Sequence, residues 1–518
     1  MGRKILFVTT DQQRYDALGC NGGTVARTPV VDGLAAQGVN YRRAHPQSVV
    51  CMPSRATMVT GQHVHTHGVW MNGVPLPVDA PSVARVLHDG GYATALIGKS
   101  HFEPYLDPFL RFAENRMAAR GVHEEPDVLG PHRGFDHMEL TTHGATGFTH
   151  YAQEMMRTHP EVQGQYFAVL DHDLEVSAKG GGDTGAPQVK YNQIPRELYH
   201  TEWVAERTIA WLDGLHDDAD WFCWMSFPDP HHPWDPPASE THRVRWQDLD
   251  LPEGYVRDAA EREAVLDAKG RQWRLWYDGD LVTNYEAPAR WVPATLTEDQ
   301  VREVNALVHV ENELIDEALG RVLRRIDERG WAADLDVIYT TDHGELQGDY
   351  GLLFKGPYHT DSLMRLPLIW RPAPSSGIEA GEVHRPVGHL DLAPTFCSIA
   401  GMEAPDWMEG AALPLDDTDA DARGFDHVTT VWDSIQPDGT RVHARSTYRD
   451  GMLVTAYDPG TVHHGTEGEL YDLGDDPLQH RNRWDDTAMA AARSDLLATL
   501  HDETPPYRPD RNEVQAPV

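Results

Sequence analysis

Short apolar runs at four places in the sequence each end in side chains that can do chemistry. Runs of this kind, rich in β-branched and aromatic residues, are typical of buried parallel strands. In an open α/β sheet the carboxyl ends of the strands meet at one edge, which is where ligands bind. We therefore expect the residues that follow the four runs to form one site: Asp11-Gln12, Lys99-Ser100-His101, His231-His232 and Asp342-His343.

The first and last of these groups could bind a metal ion. Asp11 and Asp342 supply carboxylates, Gln12 supplies an amide oxygen and His343 supplies an imidazole. An oxygen-rich set of this kind suits a hard divalent cation, so we expect Ca²⁺, with Mn²⁺ or Mg²⁺ as the alternatives. A single aspartate at a strand end is more commonly a helix cap. The metal interpretation therefore depends on both pairs lying close together.

A cysteine with unusual neighbours is the candidate nucleophile. Cys51 comes just before a predicted helix that starts at Pro53 and ends at Gly61, and Arg55 follows it by one helical turn. A lone cysteine is usually a small buried hydrophobic residue. A helix N-terminus and an arginine create an electropositive setting, which favours a nucleophile that attacks an anionic group.

The pattern Cys51-x-Pro53-Ser54-Arg55, with Thr60-Gly61 behind it, resembles the signature of the sulfatases, in which the cysteine is oxidised to formylglycine after synthesis. Val59 stands where that family most often has leucine. The resemblance covers nearly the whole chain, because further family motifs occur in the family's order: Asp11, Gly98–His101, Pro230–Pro233, Asp342–Gly344, Gly348–Gly351, Lys355, Glu469–Leu473 and Asp476-Pro477.

The resemblance implies a role for each of these residues. In the family the hydrated aldehyde at the cysteine position attacks sulfur while one of its hydroxyls is held by the metal. The implied metal ligands are Asp11, Gln12, Cys51, Asp342 and His343. The implied catalytic residues are Cys51 as nucleophile, Arg55 orienting it, Lys99 and Lys355 on the sulfate oxygens, His101 in the elimination step and His231 at the leaving oxygen.

The two lysines carry more information than a lysine usually does. A lysine is ordinarily a solvated surface residue. This chain has only six, at positions 4, 99, 179, 190, 269 and 355, yet Lys99 and Lys355 both occupy family positions. The histidine motif is weaker evidence, because the chain contains 29 histidines.

Two alternatives remain open from the sequence. Many sulfatases have aspartate where this chain has Gln12, and the Asp-Gln and Asp-His pairs also resemble phosphonate monoester hydrolases of the same superfamily. Those enzymes lack the element present here as Lys99-Ser-His101, so a sulfuric ester hydrolase is the first hypothesis and a phosphonate monoester or phosphodiester hydrolase is the second. A catalytically silent binding protein with the same fold is the third.

The alternation of predicted elements indicates an α/β fold. The resemblance implies a large alkaline-phosphatase-like domain with a mixed, mostly parallel sheet flanked by helices. After about residue 410 the pattern changes to short alternating strands, so we predict a catalytic domain at 1–412 and an α+β domain with an antiparallel sheet at 413–518. Residues 104–195 are predicted to be long irregular loops.

Composition restricts the partners. Asp+Glu 81 against Lys+Arg 44 gives a formal charge of −37, which argues against nucleic acid or an anionic membrane as a partner. Four scattered cysteines without CxxC spacing predict neither a disulfide framework nor a zinc finger. The N-terminus lacks the apolar segment of a signal peptide, so we expect the cytoplasm. The expected partners are a small sulfate ester and, by resemblance, a formylglycine-generating enzyme; the sequence does not indicate an oligomeric state.

Overall fold

A computed structural model describes residues 3–105, 107, 109–119, 128–145, 147–166, 181–281, 291–436, 439–505 and 512–515. The strands are β1 Lys4–Thr10, β2 Val39–Tyr41, β3 Ala44–His45, β4 Ala93–Gly98, β5 His137–Leu140, β6 Trp221–Ser226, β7 Leu335–Thr341, β8 Leu368–Arg371, β9 Gly381–Val383, β10 Val387–Gly388, β11 His427–Ile435, β12 Arg441–Arg449, β13 Met452–Tyr457 and β14 Gly468–Asp472.

The α-helices of the described residues are α1 Pro29–Ala36, α2 Cys51–Thr60, α3 Val64–His67, α4 Val83–Asp89, α5 Ala113–Ala119, α6 His150–Thr158, α7 Pro160–Gln163, α8 His200–Asp213, α9 Ala259–Asp267, α10 Arg271–Tyr277, α11 Glu298–Glu328, α12 Asp361–Met364, α13 Leu392–Ile399, α14 Asp417–Arg423 and α15 Ala490–Glu503. None of the described helices is long and apolar enough to cross a membrane.

The central sheet has eight strands in the order β5-β4-β6-β1-β7-β8-β2-β9. The first five strands run parallel to one another, and β8 runs antiparallel to both β7 and β2. The predicted mixed, mostly parallel sheet is therefore confirmed. Because β4, β6, β1 and β7 are adjacent and parallel, their carboxyl ends lie side by side.

Side chains of the central strands alternate between two apolar layers. Ile5 and Phe7 of β1 pack into the core on the side of α2 and α13, whereas Leu6 and Val8 pack into the core on the side of α8 and α11. A strand covered on both faces reads as a continuous apolar run, which explains why β1 could be predicted from sequence.

The C-terminal part contains a four-stranded antiparallel sheet in the order β11-β12-β13-β14. Helix α15 packs against β12 and β13. The predicted α+β character of this region is confirmed, and the boundary between 412 and 413 stays a prediction.

Two local predictions need correction. The stretch 104–195 is not uniformly irregular, since it contains β5, α5, α6 and α7. These elements are too short for periodicity to reveal them. In addition, α2 starts at Cys51 and not at Pro53, with Val50 in extended conformation as its N-cap, so the cysteine is the first helical residue.

Helix α11, with 31 residues, starts with a capping box. The Thr297 hydroxyl accepts a hydrogen bond from the backbone N–H of Gln300 at 3.3 Å. The Gln300 side-chain oxygen accepts one from the backbone N–H of Thr297 at 2.9 Å. We expect Thr297→Ala to cost about 1 kcal/mol and to speed hydrogen exchange in the first turn by about fivefold, measured by mass spectrometry. Thr297→Ser, which keeps the acceptor, is the control; equal exchange in the alanine variant and the wild type would contradict the expectation.

Candidate active site

Two strand ends and one helix start bring four potential metal ligands together. One ligand atom from each of Asp11, Cys51, Asp342 and His343 lies within 4.8 Å of all the others, and all four residues are buried. The Cys51 Sγ is 3.2 Å from His343 Nε2 and 3.8 Å from Asp11 Oδ1. We call these four residues the acidic centre. Its members were all predicted metal ligands.

The sheet register explains why the two aspartates meet. Thr10 of β1 pairs with Thr341 of β7 in parallel, so Asp11 and Asp342, the next residues, emerge beside each other. The Asp342 Oδ1 accepts from the backbone N–H of Gln12 and of His343, each at 3.0 Å. These two hydrogen bonds fix the orientation of the carboxylate.

The orientation of His343 is set by its own chain. Its Nδ1 lies 2.9 Å from the Gly344 carbonyl oxygen. A carbonyl only accepts, so Nδ1 carries the hydrogen, and the lone pair of Nε2 faces Cys51. Burial lowers the pKa of His343, against the opposing effect of Asp342. The imidazole is therefore neutral, as a metal ligand has to be.

Gln12, the fifth predicted ligand, lies beside the acidic centre in left-handed backbone conformation, with φ of 65°. Its side-chain nitrogen contacts the carboxylate of Glu345, and its oxygen accepts from Lys355 Nζ at 3.0 Å. Glu345 was not predicted, although it follows Asp342-His-Gly directly in the sequence. Burial raises the pKa of Glu345 to about 7, and its contact with the amide nitrogen turns the Gln12 oxygen toward the site.

Arg55 is a cation of the site with no exposed surface. Its Nε donates to Asp342 Oδ2 at 2.8 Å, and its Nη1 donates to the Lys99 carbonyl at 2.7 Å and to Ser226 Oγ at 2.9 Å. Burial would lower the pKa of Arg55, but Asp342 and Asp11 raise it above its usual value. The guanidinium therefore joins α2 to the ends of β4, β6 and β7.

The two lysines contact different residues of the site. Lys99 Nζ makes an ion pair with Asp11. Lys355 Nζ lies 2.9 Å from His231 Nε2. Burial and then Lys355 hold the pKa of His231 well below its ordinary value, so its imidazole is neutral near pH 7. The structure thus brings Lys99, His231 and Lys355 to the acidic centre, as predicted.

His101 lies in a turn held by Tyr105. It is buried, has a φ of 54°, and stacks on Tyr105 with ring centroids 5.1 Å apart. The Tyr105 hydroxyl accepts from the backbone N–H of Ser100 at 2.6 Å and of His101 at 2.7 Å. Tyr105 therefore holds the turn that carries His101.

The cationic neighbours of Cys51 do not make its thiol acidic. Burial and then the Asp11 carboxylate raise the pKa of the Cys51 thiol well above its usual value, although Lys355 and Lys99 act in the opposite direction. Asp11 is 40 residues away in the chain, so local sequence could not reveal this effect. An unmodified Cys51 is a protonated thiol and a poor nucleophile at neutral pH.

His143 was missed by the sequence analysis. Its imidazole stacks on His231 with ring centroids 4.1 Å apart and an interplanar angle of 17°. It follows β5, the short edge strand that the sequence did not reveal. The signal that could have found it is the one used elsewhere, a polar side chain just beyond the end of a parallel strand.

The geometry can be compared with known proteins. The sequence model of the sulfatase family matches residues 3–402. The uncharacterised sulfatase YidJ of Escherichia coli K12 is 27% identical over 503 residues, covering 96% of this chain and 86% of YidJ. The multifunctional alkaline phosphatase superfamily protein PehA of Trinickia caryophylli is 27% identical over 418 residues, covering 79% and 76%.

Solved structures show the same fold. The phosphonate monoester hydrolase of Agrobacterium radiobacter superposes with a TM-score of 0.75 at 22% identity, covering 96% of this chain and 95% of that one. The family match spans the acidic centre, Arg55, both lysines and His231. This chain therefore belongs to the sulfatase family of sulfuric ester hydrolases.

Proposed function

We propose that this protein hydrolyses a small sulfate monoester, through formylglycine formed from Cys51 and one divalent cation, for which Ca²⁺ is the expected ion. The observation that carries the proposal is the acidic centre, with its ligand atoms within 4.8 Å of one another, beside three cationic side chains. A formylglycine-generating enzyme is the maturation partner that this proposal requires.

The donor set fits a cation. Two carboxylates, a neutral imidazole and the position 51 side chain would hold it, with the Gln12 amide oxygen available as a further ligand. Oxygen-rich sets of this kind select hard divalent ions, and Mn²⁺ and Mg²⁺ remain the alternatives to Ca²⁺. Bound there, a cation supplies positive charge that lowers the pKa of a hydroxyl at position 51.

The cationic side chains suit an anionic substrate. Lys99 and Lys355 are both buried, Lys99 beside Asp11 and Lys355 beside Gln12, so their ammonium groups can each bind a sulfate oxygen. Arg55 is held by its four partners and keeps the position 51 helix in register with the sheet. A preorganised cluster of charges stabilises the negative charge of the transition state.

The role assigned to His231 is protonation of the leaving alcohol. Its Nδ1 faces the carbonyl oxygen of His232 at 2.5 Å and so carries a hydrogen, which leaves Nε2 to accept from Lys355 Nζ. A proton taken up at Nε2 once the anionic substrate is bound can pass to the leaving oxygen, so that His231 acts as a general acid. By the family resemblance, His101 would assist the later release of sulfate.

The test is a substrate screen on protein co-expressed with a formylglycine-generating enzyme. Aryl, alkyl, choline and monosaccharide sulfates are compared with aryl phosphonates, and metal content is measured on the same sample. We expect a higher kcat/KM for at least one sulfate ester than for any phosphonate. A wholly unmodified Cys51 in the active protein, seen by mass spectrometry, would overturn the proposed nucleophile.

A phosphonate monoester or phosphodiester hydrolase is the second candidate. The observation that favours it is the amide at position 12. Gln12 gives the metal site one negative charge fewer than an aspartate at that position would. A higher kcat/KM on aryl phosphonates than on every sulfate ester would establish this candidate in place of the first.

A further inference from the structure

The loop after β5 brings a further histidine, His143, into contact with Lys99 and His231, the two residues proposed to contact the substrate. His143 Nε2 is 3.4 Å from Lys99 Nζ and 3.9 Å from Asp11 Oδ2. Its ring also lies parallel to that of His231, at 4.1 Å between centroids. The side chain is 12% exposed, so it retains a small accessible edge.

The fold accounts for this position. β5 runs parallel to β4, with Leu140 paired to Gly98, and the Thr141 amide donates to the Gly98 carbonyl at 3.0 Å. The carboxyl end of β5 therefore lies beside the turn that carries Lys99. His143, three residues beyond β5, is delivered to the same edge of the sheet as the other site residues.

The two contacts of His143 are of different kinds. Toward Lys99 it presents a ring nitrogen, which can accept a hydrogen bond from an ammonium group. Toward His231 it presents a ring face, and His231 also stacks on His232 at 4.0 Å. His231 is thus held between two parallel imidazoles. Stacking of this type restricts the tilt of the middle ring.

We propose that His143 is a positioning residue that directs Lys99 toward a sulfate oxygen through Nε2 and holds the plane of His231 toward the leaving oxygen through stacking. The inference rests on the proposed function for the roles of Lys99 and His231. It adds a residue outside the family motifs, and it predicts that the two effects can be separated by substitution.

The substitutions divide the two contacts. His143→Phe keeps a ring against His231 and removes the nitrogen, whereas His143→Asn keeps a short polar acceptor and removes the ring. We expect His143→Ala to lower kcat/KM by about 10²-fold for phenyl sulfate, whose leaving group needs a proton, and by less than about tenfold for 4-nitrophenyl sulfate, whose leaving group needs none. His143→Phe should restore the wild-type ratio between the two esters.

The second measurement needs no turnover. Inorganic sulfate is titrated into the metal-loaded protein by calorimetry, and we expect His143→Ala and His143→Phe to weaken its binding by about tenfold, with partial recovery in His143→Asn. The control is His159→Ala, a histidine of the same stretch of chain that is 40% exposed and paired with Glu161; it should leave both properties unchanged.

The outcomes are separable from those of the proposed function. If the wild type prefers phosphonates, the phenyl and 4-nitrophenyl leaving groups are compared as phosphonate esters. If the wild type turns over neither class of ester, the affinity for inorganic sulfate decides whether His143 positions Lys99. Equal losses on both esters in all three variants, or unchanged sulfate affinity in His143→Ala, would overturn the positioning role.

Discussion

Replacing Cys51 with alanine should lower kcat for sulfate esters by at least about 10⁴-fold, since removal of a nucleophile leaves only the contribution of binding and electrostatics. Alanine cannot be oxidised to an aldehyde, so the variant lacks the proposed nucleophile under all conditions of expression. The side chain has no exposed surface and loses only a sulfur atom. We therefore expect a folded protein, with a thermal unfolding midpoint close to that of the wild type.

The measurement is the initial rate on an aryl sulfate together with the aldehyde fraction at position 51. In the wild type, the rate per mole of protein should rise in proportion to that fraction when a formylglycine-generating enzyme is co-expressed. Cys20→Ala is the matched control, because Cys20 is a partly buried cysteine outside the site. A rate that is the same for the fully unmodified thiol would contradict the prediction, as would alanine activity within tenfold of the wild type.

The structure supports the proposal that the nucleophile is formylglycine and not the thiol of Cys51. Burial and Asp11 raise the pKa of the Cys51 thiol, so the thiolate form is scarce at neutral pH. An electropositive helix N-terminus by itself would have had the opposite effect. The site is therefore poorly suited to cysteine chemistry, although it is well suited to an anionic substrate.

What could be predicted from the sequence was local. Asp11 and Asp342 each follow a strand whose continuous apolar run is visible in the sequence, and the rule for parallel strand ends then places them together. The fold class follows from the same alternation of strands and helices. The motif from Cys51 to Arg55 lies on a single helical turn, so it also could be recognised without knowledge of the packing.

What could not be predicted depends on distant parts of the chain. Glu345 acquires its raised pKa from burial, and its role comes from a contact with Gln12, which is 333 residues away. His143 comes from a strand of four residues at the sheet edge, too short to show a pattern. Tyr105 supports the Lys99 turn through its hydroxyl, and nothing in a tyrosine's neighbours indicates such a contact.

The net charge of the whole protein differs in sign from the charge of the side chains proposed to bind the substrate. A formal charge of −37 would repel a sulfate ester at long range, but screening confines that repulsion to about 8–10 Å. Arg55, Lys99 and Lys355 are buried together with the acidic centre, where screening by salt is weak. The local field at the site is therefore set by these groups and by any bound cation.

Among the charged groups of the site, we expect Arg55 to contribute most to the stability of the folded protein. Its guanidinium pairs with Asp342 at 2.8 Å and lies 3.7 Å from Asp11, with all three side chains fully buried. We expect Arg55→Met, which keeps most of the volume, to lower the free energy of unfolding by about 3–5 kcal/mol, because it leaves buried carboxylates without their partner. We also expect a loss of at least about 10³-fold in kcat.

A divalent cation should partly replace the positive charge lost in Arg55→Met, so thermal unfolding with and without the cation tests the prediction. We expect the destabilisation of Arg55→Met, followed by thermal unfolding, to be larger in EDTA than in excess Ca²⁺, since the cation neutralises the same two carboxylates. Arg55→Lys keeps the charge but not the planar fork, so it should recover stability more than activity. Arg325→Met is the matched control: Arg325 pairs with Asp213 at 2.7 Å on the surface and should change stability by less than about 1 kcal/mol. If Arg55→Met were as stable as the wild type in EDTA, the two aspartates could not be the buried, charged pair on which the cation site depends.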